Sequence, residues 1–146
     1  MGNLASGTLT IGGSGQTTVG TCPTPTGAWY NGATGKMNSS LDFDGTDDYI
    51  VINNGGGFCS AQQSISIWVN MDSYDASDYD EAVRLEGANG YRISYYFGGN
   101  SWDMGFSNSA NTAATFLSIN KSYIPIGTWH NIVITHDGSI SRAYLD

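Results

Sequence analysis

The chain has 146 residues, 13 of them acidic and 5 basic, for a formal net charge of −8. That length holds one domain with a substantial core but not two comfortable ones, and the sign of the field repels phosphates and anionic lipid, which sets nucleic acid aside as a partner. Charged residues make up only 12% of the chain and glycines number 20; the remainder leans on Ser, Thr, Asn and aromatics, a mix that favours strands and tight turns over helices.

Met1 to Gly35 carries no charged side chain and is dense in Gly and Thr. Two readings are open for it: a flexible linker, or short β-prone pieces, TLTI and QTTV, that pair with a sheet edge. The expected organisation is an arm over 1–35 followed by one domain over 36–146. No apolar run approaches the roughly 18 residues a membrane helix needs, so no membrane insertion is expected. MGNLASGTLTIGG also lacks the basic and apolar regions of a secretory signal. A protein of this kind working outside a cell leaves by another route, as virion proteins do on lysis. Cys22 and Cys59 show no CxxC spacing. They either form a disulfide between the arm and a later loop or remain two thiols, because the redox compartment is open.

Nine of the 13 acidic residues fall in two short windows, Asp42, Asp44, Asp47 and Asp48, then Asp72, Asp75, Asp78, Asp80 and Glu81. In SISIWVNM, residues Ile65, Ile67, Val69 and Met71 share one face, the period-two signature of a half-buried strand, which leaves Trp68 on the other face. In YRISYYF the same rule sets Tyr91, Ile93, Tyr95 and Phe97 against Arg92, Ser94 and Tyr96. GTWHNIVITHDG reads as a strand running into a turn at Asp137 and Gly138. Short strands separated by turns, with no helical period, predict an all-β antiparallel sandwich.

LDFDGTDDYIVI, with Leu41 and Phe43 expected to point inward, resembles the FDG.DDYV signature of the laminin G-like, concanavalin A-like jelly-roll domains. SISIWVN, the hairpin GYRISYYFGGNSWDMGFS, and GTWHNIVITHDGSISRAYLD resemble further motifs of that family in the same order, over about Met37 to Asp146. The resemblance implies a two-sheet jelly roll, with an N-terminal extended arm ahead of it. It also implies further strands beyond the motif at SISRAYLD. There Ile140, Arg142 and Tyr144 alternate with Ser141, Ala143 and Leu145, a strand with an open edge, and Ile132 and Ile134 are expected to be poorly covered. Either a longer chain completes the sandwich, or a neighbour inserts a strand, for which TLTIGG and QTTVGT are the candidate donors.

The family includes glycoside hydrolases, whose carboxylates stand two residues apart along one strand so that all face one cleft. Glu81 and Glu86, the two glutamates, are five apart and fall on opposite faces, so no catalysis is expected. His130 and His136 share a face of a straight strand but lie about 20 Å apart at the usual rise, too far to share a metal. Asp44, Asp47 and Asp48, around Gly45, form either a solvated acidic turn or a calcium site, since calcium takes carboxylate oxygens and the family often carries that ion at its loop edge. The second acidic window reads more simply as solvated. Carbohydrate binding would use exposed aromatics as platforms for sugar rings, and Tyr74, Tyr79, Tyr96 and Trp102 are the candidate set; an aromatic in a sandwich is otherwise a core residue.

These observations leave three function classes. The first is a non-catalytic extracellular or virion surface module for adhesion or glycan binding, with a glycan or protein surface partner and a tendency to self-assemble or attach to a larger particle. The others are a purely structural subunit of a virion or filament assembled by strand exchange, and an accessory carbohydrate-binding module of a glycoside hydrolase.

Overall fold

The computed structural model describes residues 9–12, 29–41, 43, 49–52, 60–74, 79–85, 90–96, 98–107 and 114–146. Among them are eleven β-strands, one short 3-10 turn and no α-helix. The chain forms two compact units, Met1–Gly57 and Phe58–Asp146.

In the first unit β1 (Leu9–Gly12) runs antiparallel to β4 (Tyr49–Ile52), with Leu9 opposite Ile52. The strand reading of the uncharged segment therefore holds at LTIG, which pairs with the chain's own β4; QTTV lies outside the described residues. A second ribbon joins β2 (Trp29–Gly35) to β3 (Asn38–Leu41) across Lys36 and Met37. The boundary expected after Gly35 lies at the turn of this hairpin, and the two compact units meet at Gly57 and Phe58. Phe43, expected to point inward with Leu41, is 48% exposed. The alternation that carried it inward stops with β3, which ends at Leu41.

The second unit holds two antiparallel sheets. One has the order β11-β10-β5, from β5 (Gln63–Val69), β10 (His130–His136) and β11 (Ser141–Leu145). The other runs β6-β7-β8-β9, from β6 (Tyr79–Leu85), β7 (Tyr91–Tyr96), β8 (Ser101–Ser107) and β9 (Ala114–Asn120). Period-two patterning decides what each strand contributes inward. Ile93 and Tyr95 of β7 stand opposite Met104 and Trp102 of β8, and Ile132 and Ile134 of β10 stand opposite Ile67 and Ile65 of β5. With Phe106 and Ile124 these make a core closed by Val69, Met71, Leu117, Ile119, Ala143 and Leu145. Each fully buried aliphatic side chain contributes about 1.5–3 kcal/mol relative to exposure.

The expected poor covering of Ile132 and Ile134 is corrected by this packing: they are 1% and 0% exposed, because the bulky row Trp102, Met104 and Phe106 from β8 belongs to the same cluster. Phe106 also lies over the His136 ring, 5.5 Å between centroids and near parallel. The result is an all-β, two-sheet sandwich of jelly-roll type.

The β10–β11 turn shows how local chemistry sets the register. Asp137 Oδ1 accepts from the amides of Ser139 and Ile140 at 3.0 and 2.8 Å, and Oδ2 accepts from Arg142 at 3.0 Å. Gly138 adopts φ +96°, a conformation in which a side chain is strained. The Ile140 amide, the Arg142 guanidinium and the Ser139 amide hold the Asp137 carboxyl down to about 2. At the other end of the ladder, His130 Nδ1 lies 2.7 Å from Asp146 Oδ2 and donates to it, a carboxylate being acceptor only. Asp146 Oδ1 accepts from the Asn131 amide at 2.9 Å.

Candidate functional site

The face of the β6–β9 sheet turned away from the core carries the polar chemistry. Because Ile93, Tyr95, Trp102 and Met104 point inward, their neighbours Ser94 and Asp103 fall on the other face, where Ser94 is itself 0% exposed. Register then aligns a row across four strands: Glu81 opposite Ser94, Ser94 opposite Asp103, and Asp103 opposite Ser118. A β-bulge between Glu81 and Val83 keeps Glu81 on this face while Val83 packs against the core. Without the bulge, strict alternation would put both on one side. At about 4.8 Å per strand, Glu81 and Asp103 stand roughly 10 Å apart along the backbone.

Hydrogen bonds fix the centre of the row. Asp103 Oδ1 accepts from Ser101 Oγ at 3.1 Å and from Ser118 Oγ at 2.6 Å, and Ser94 Oγ donates to the Asp103 carbonyl at 3.5 Å. Glu81 is bridged to Arg84 at 3.0 Å. On one side the next row places Arg84 opposite Arg92; on the other, Tyr79 stands opposite Tyr96 and Tyr96 opposite Ser101. The Tyr96 ring lies over the β7–β8 turn: a β-carbon on Gly98 would fall 2.5 Å from Tyr96 Oη, and one on Gly99 3.0 Å from Tyr96 Cδ1. A side chain at either position would displace the Tyr96 ring, and at Gly99 the Ser101 hydroxyl as well.

The four aromatics chosen from sequence divide into two pairs. Tyr96 is half-buried on the polar face, with Tyr79 at the register position opposite it. Trp102 is corrected as a ligand platform because it lies in the core, and Tyr74 because its half-buried ring and hydroxyl are engaged by that core. Trp102 is 1% exposed, and its Nε1 donates to Tyr74 Oη at 3.0 Å, while Tyr74 in turn donates to the Ile124 carbonyl. Their rings and that of Tyr95 form one cluster, with centroids 4.4 Å apart for Tyr74–Tyr95 and 6.4 Å for Tyr74–Trp102. Burial pushes the Tyr74 hydroxyl above its ordinary range, with the indole hydrogen bond acting the other way. Alternation in SWDMGF already required that Trp102 and Asp103 face opposite sides; only the inward assignment of Met104 was needed to say which.

Asp44, Asp47 and Asp48, together with Cys22, Cys59 and Glu86, lie outside the described residues. Among the described residues no three acidic, histidine or cysteine side chains gather as a metal site. His130 is 8% exposed, tied to Asp146, and its Nε2 is buried without a partner among the described residues. His136 Nδ1 pairs with Ser141 Oγ at 3.0 Å. Both histidines serve the β10–β11 ladder. Sequence reasoning missed Asp103, Ser94 and Ser118, which only cross-strand register brings into one line.

A two-sheet antiparallel sandwich with one polar, carboxylate-bearing face defines a class of β-sandwich modules, and the comparison with known families narrows it. A laminin G-type family model, described as the concanavalin A-like lectin/glucanases superfamily, matches residues 44–146. The chain belongs to that superfamily. No curated protein and no solved structure matches it.

Proposed function

We propose that the chain is a non-catalytic surface module, extracellular or on a virion, that binds glycan through the outer face of the β6–β9 sheet and takes part in assembly. The observation that carries this reading is the row of Glu81, Asp103 and Ser118, aligned through the fully buried Ser94, beside Tyr96. It sets hydrogen-bonding groups in a line next to an aromatic ring, the combination that receives the hydroxyls and apolar faces of sugars. The superfamily supports a carbohydrate-binding or adhesion role in general. The site residues proposed are Tyr96, Asp103, Ser118 and Glu81, with Tyr79 at the register position opposite Tyr96.

A glycan array with the labelled chain, followed by calorimetry on the best neutral hit and on its sulfated counterpart, tests the reading. Asp103→Asn and Tyr96→Ala are each expected to weaken binding about tenfold or more while leaving the fold intact, since a hydrogen bond to a charged group contributes about 1.5–3 kcal/mol. An array without signal, or affinity indifferent to both substitutions, refutes it. No β-glucan turnover is expected; hydrolysis that disappears in Glu81→Gln would reassign the face as a catalytic cleft.

A further inference from the structure

Glycine at a turn is ordinarily called for by a positive φ, yet Gly98 and Gly99 have none: the described glycines with positive φ are Gly127 and Gly138. The left-handed residue of the β7–β8 turn is instead Asn100, at φ +50°, a residue type enriched in that conformation. What the two glycines supply is space. A β-carbon on Gly98 would meet the far end of the Tyr96 ring, Oη at 2.5 Å and Cζ at 2.7 Å. One on Gly99 would meet Tyr96 Cδ1 at 3.0 Å and Ser101 Oγ at 2.8 Å. The turn itself is held in place. The Asn100 carbonyl accepts from the Lys121 amide at 3.0 Å, and Asn100 Oδ1 accepts from the hydroxyl of the fully buried Tyr95 at 3.4 Å. An added side chain is therefore relieved by moving the Tyr96 ring rather than the backbone.

We propose that Gly98 and Gly99 are positioning residues of the binding face, which seat the Tyr96 ring beside the Ser101–Asp103 pair so that one turn sets both the aromatic platform and the carboxylate. The inference rests on the glycan reading of that face and adds what fixes its geometry. Ser101 stands opposite Tyr96 and donates to Asp103 Oδ1 at 3.1 Å. Asp103, two residues further along β8, is the diagonal neighbour of Tyr96, about 7–8 Å away at the backbone and within reach of an aromatic side chain. Gly98 thus bears on the platform alone, whereas Gly99 bears on the platform and on the serine that orients the carboxylate. Ordinary contact begins at 3.4 Å, so alanine at 98 drives the hydroxyl end of the ring away by roughly 1 Å, beyond the about 0.5 Å within which a binding constellation must be held. The displaced atoms are the far end of a side chain, so the fold itself tolerates the change.

Two measurements test it, one without ligand. In proton–carbon spectra of the parent chain the α-protons of Gly98 and Gly99 should carry a ring-current shift that vanishes in Tyr96→Ala and falls in Gly98→Ala. In calorimetry with the best neutral oligosaccharide of the array, Gly98→Ala should weaken binding nearly as much as Tyr96→Ala does, with a melting temperature close to that of the parent. Added to Tyr96→Ala it should weaken binding no further, the non-additivity of two residues acting through one ring. Gly99→Ala should keep an effect in the Tyr96→Ala background, because Ser101 is still displaced, and it carries the comparison if Gly98→Ala does not fold. Parent spectra without the ring-current shift overturn the proposal, as does a Gly98→Ala chain that binds like the parent or loses the same affinity with and without the Tyr96 ring. A silent array fails the glycan reading itself and the proposal with it, whereas binding that answers to Tyr96→Ala and ignores both glycine variants fails the proposal alone.

Discussion

Asp137 shows what one carboxylate does for the β10–β11 turn. Its folded value of about 2 lies below the ordinary 3.8, so the stabilisation it gives is present above the unfolded value and is lost as pH falls toward 2. The amides of Ser139 and Ile140, which it holds, should therefore report a titration midpoint near 2 rather than near 4 in proton–nitrogen spectra. Asp137→Asn should flatten that titration and lower the melting temperature at pH 7 while leaving it nearly unchanged at pH 2. A midpoint near 4 in the parent chain would mean that the turn bonds are absent in solution.

At the scale of elements, the aromatic cluster between Tyr74, Tyr95 and Trp102 ties the segment before β6 to the β7–β8 hairpin. Tyr74→Phe deletes only an oxygen, yet leaves the indole N–H of a residue 1% exposed without its acceptor, a loss of about 1–3 kcal/mol. Trp102→Phe opens a cavity of its own, but the double variant should lose less than the sum of the two single losses, because removing both partners of a buried hydrogen bond costs less than removing each alone. Urea denaturation of the two single variants and the double variant measures the coupling. Additive losses would dismiss the bond, and a Tyr74→Phe variant as stable as the parent would return Tyr74 to the surface.

The same elements show what the sequence made legible. β5, β7 and β10 announce themselves because each alternates over at least six residues, and the turn at Asp137 and Gly138 is written in its residue types. Phe43 misled because alternation was carried past the end of a strand, and Trp102 because a residue beside a turn looks exposed until its cross-strand neighbours are known. The row through Asp103 was hidden for a different reason. Its members are far apart in sequence, and only register, with a bulge after Glu81, brings them into line.

For the whole molecule, the net charge of −8 matters most where acids crowd. Asp44, Asp47 and Asp48 repel one another unless water or a cation intervenes, and calcium is the cofactor proposed for them. Ion binding to the native state alone raises the melting temperature. Melting in millimolar calcium, in magnesium at equal ionic strength, and in excess chelator separates the readings. Equal curves, the result expected of a solvated turn, dismiss the ion; a rise specific to calcium assigns it.

The serines around Asp103 give the proposed binding face a direction of proton flow. Ser101 and Ser118 each have a single hydroxyl proton, and both protons are committed to Asp103 Oδ1. What these two serines present outward is lone pairs, and the carboxylates of Glu81 and Asp103 likewise only accept. The centre of the face is therefore proton-hungry: it rewards a ligand that brings donors, such as the free hydroxyls of a neutral sugar, and penalises one whose groups are sulfates or carboxylates. In the calorimetric comparison the neutral oligosaccharide should bind and its sulfated counterpart should not; the reverse order would place recognition on the flanking Arg84 and Arg92 instead.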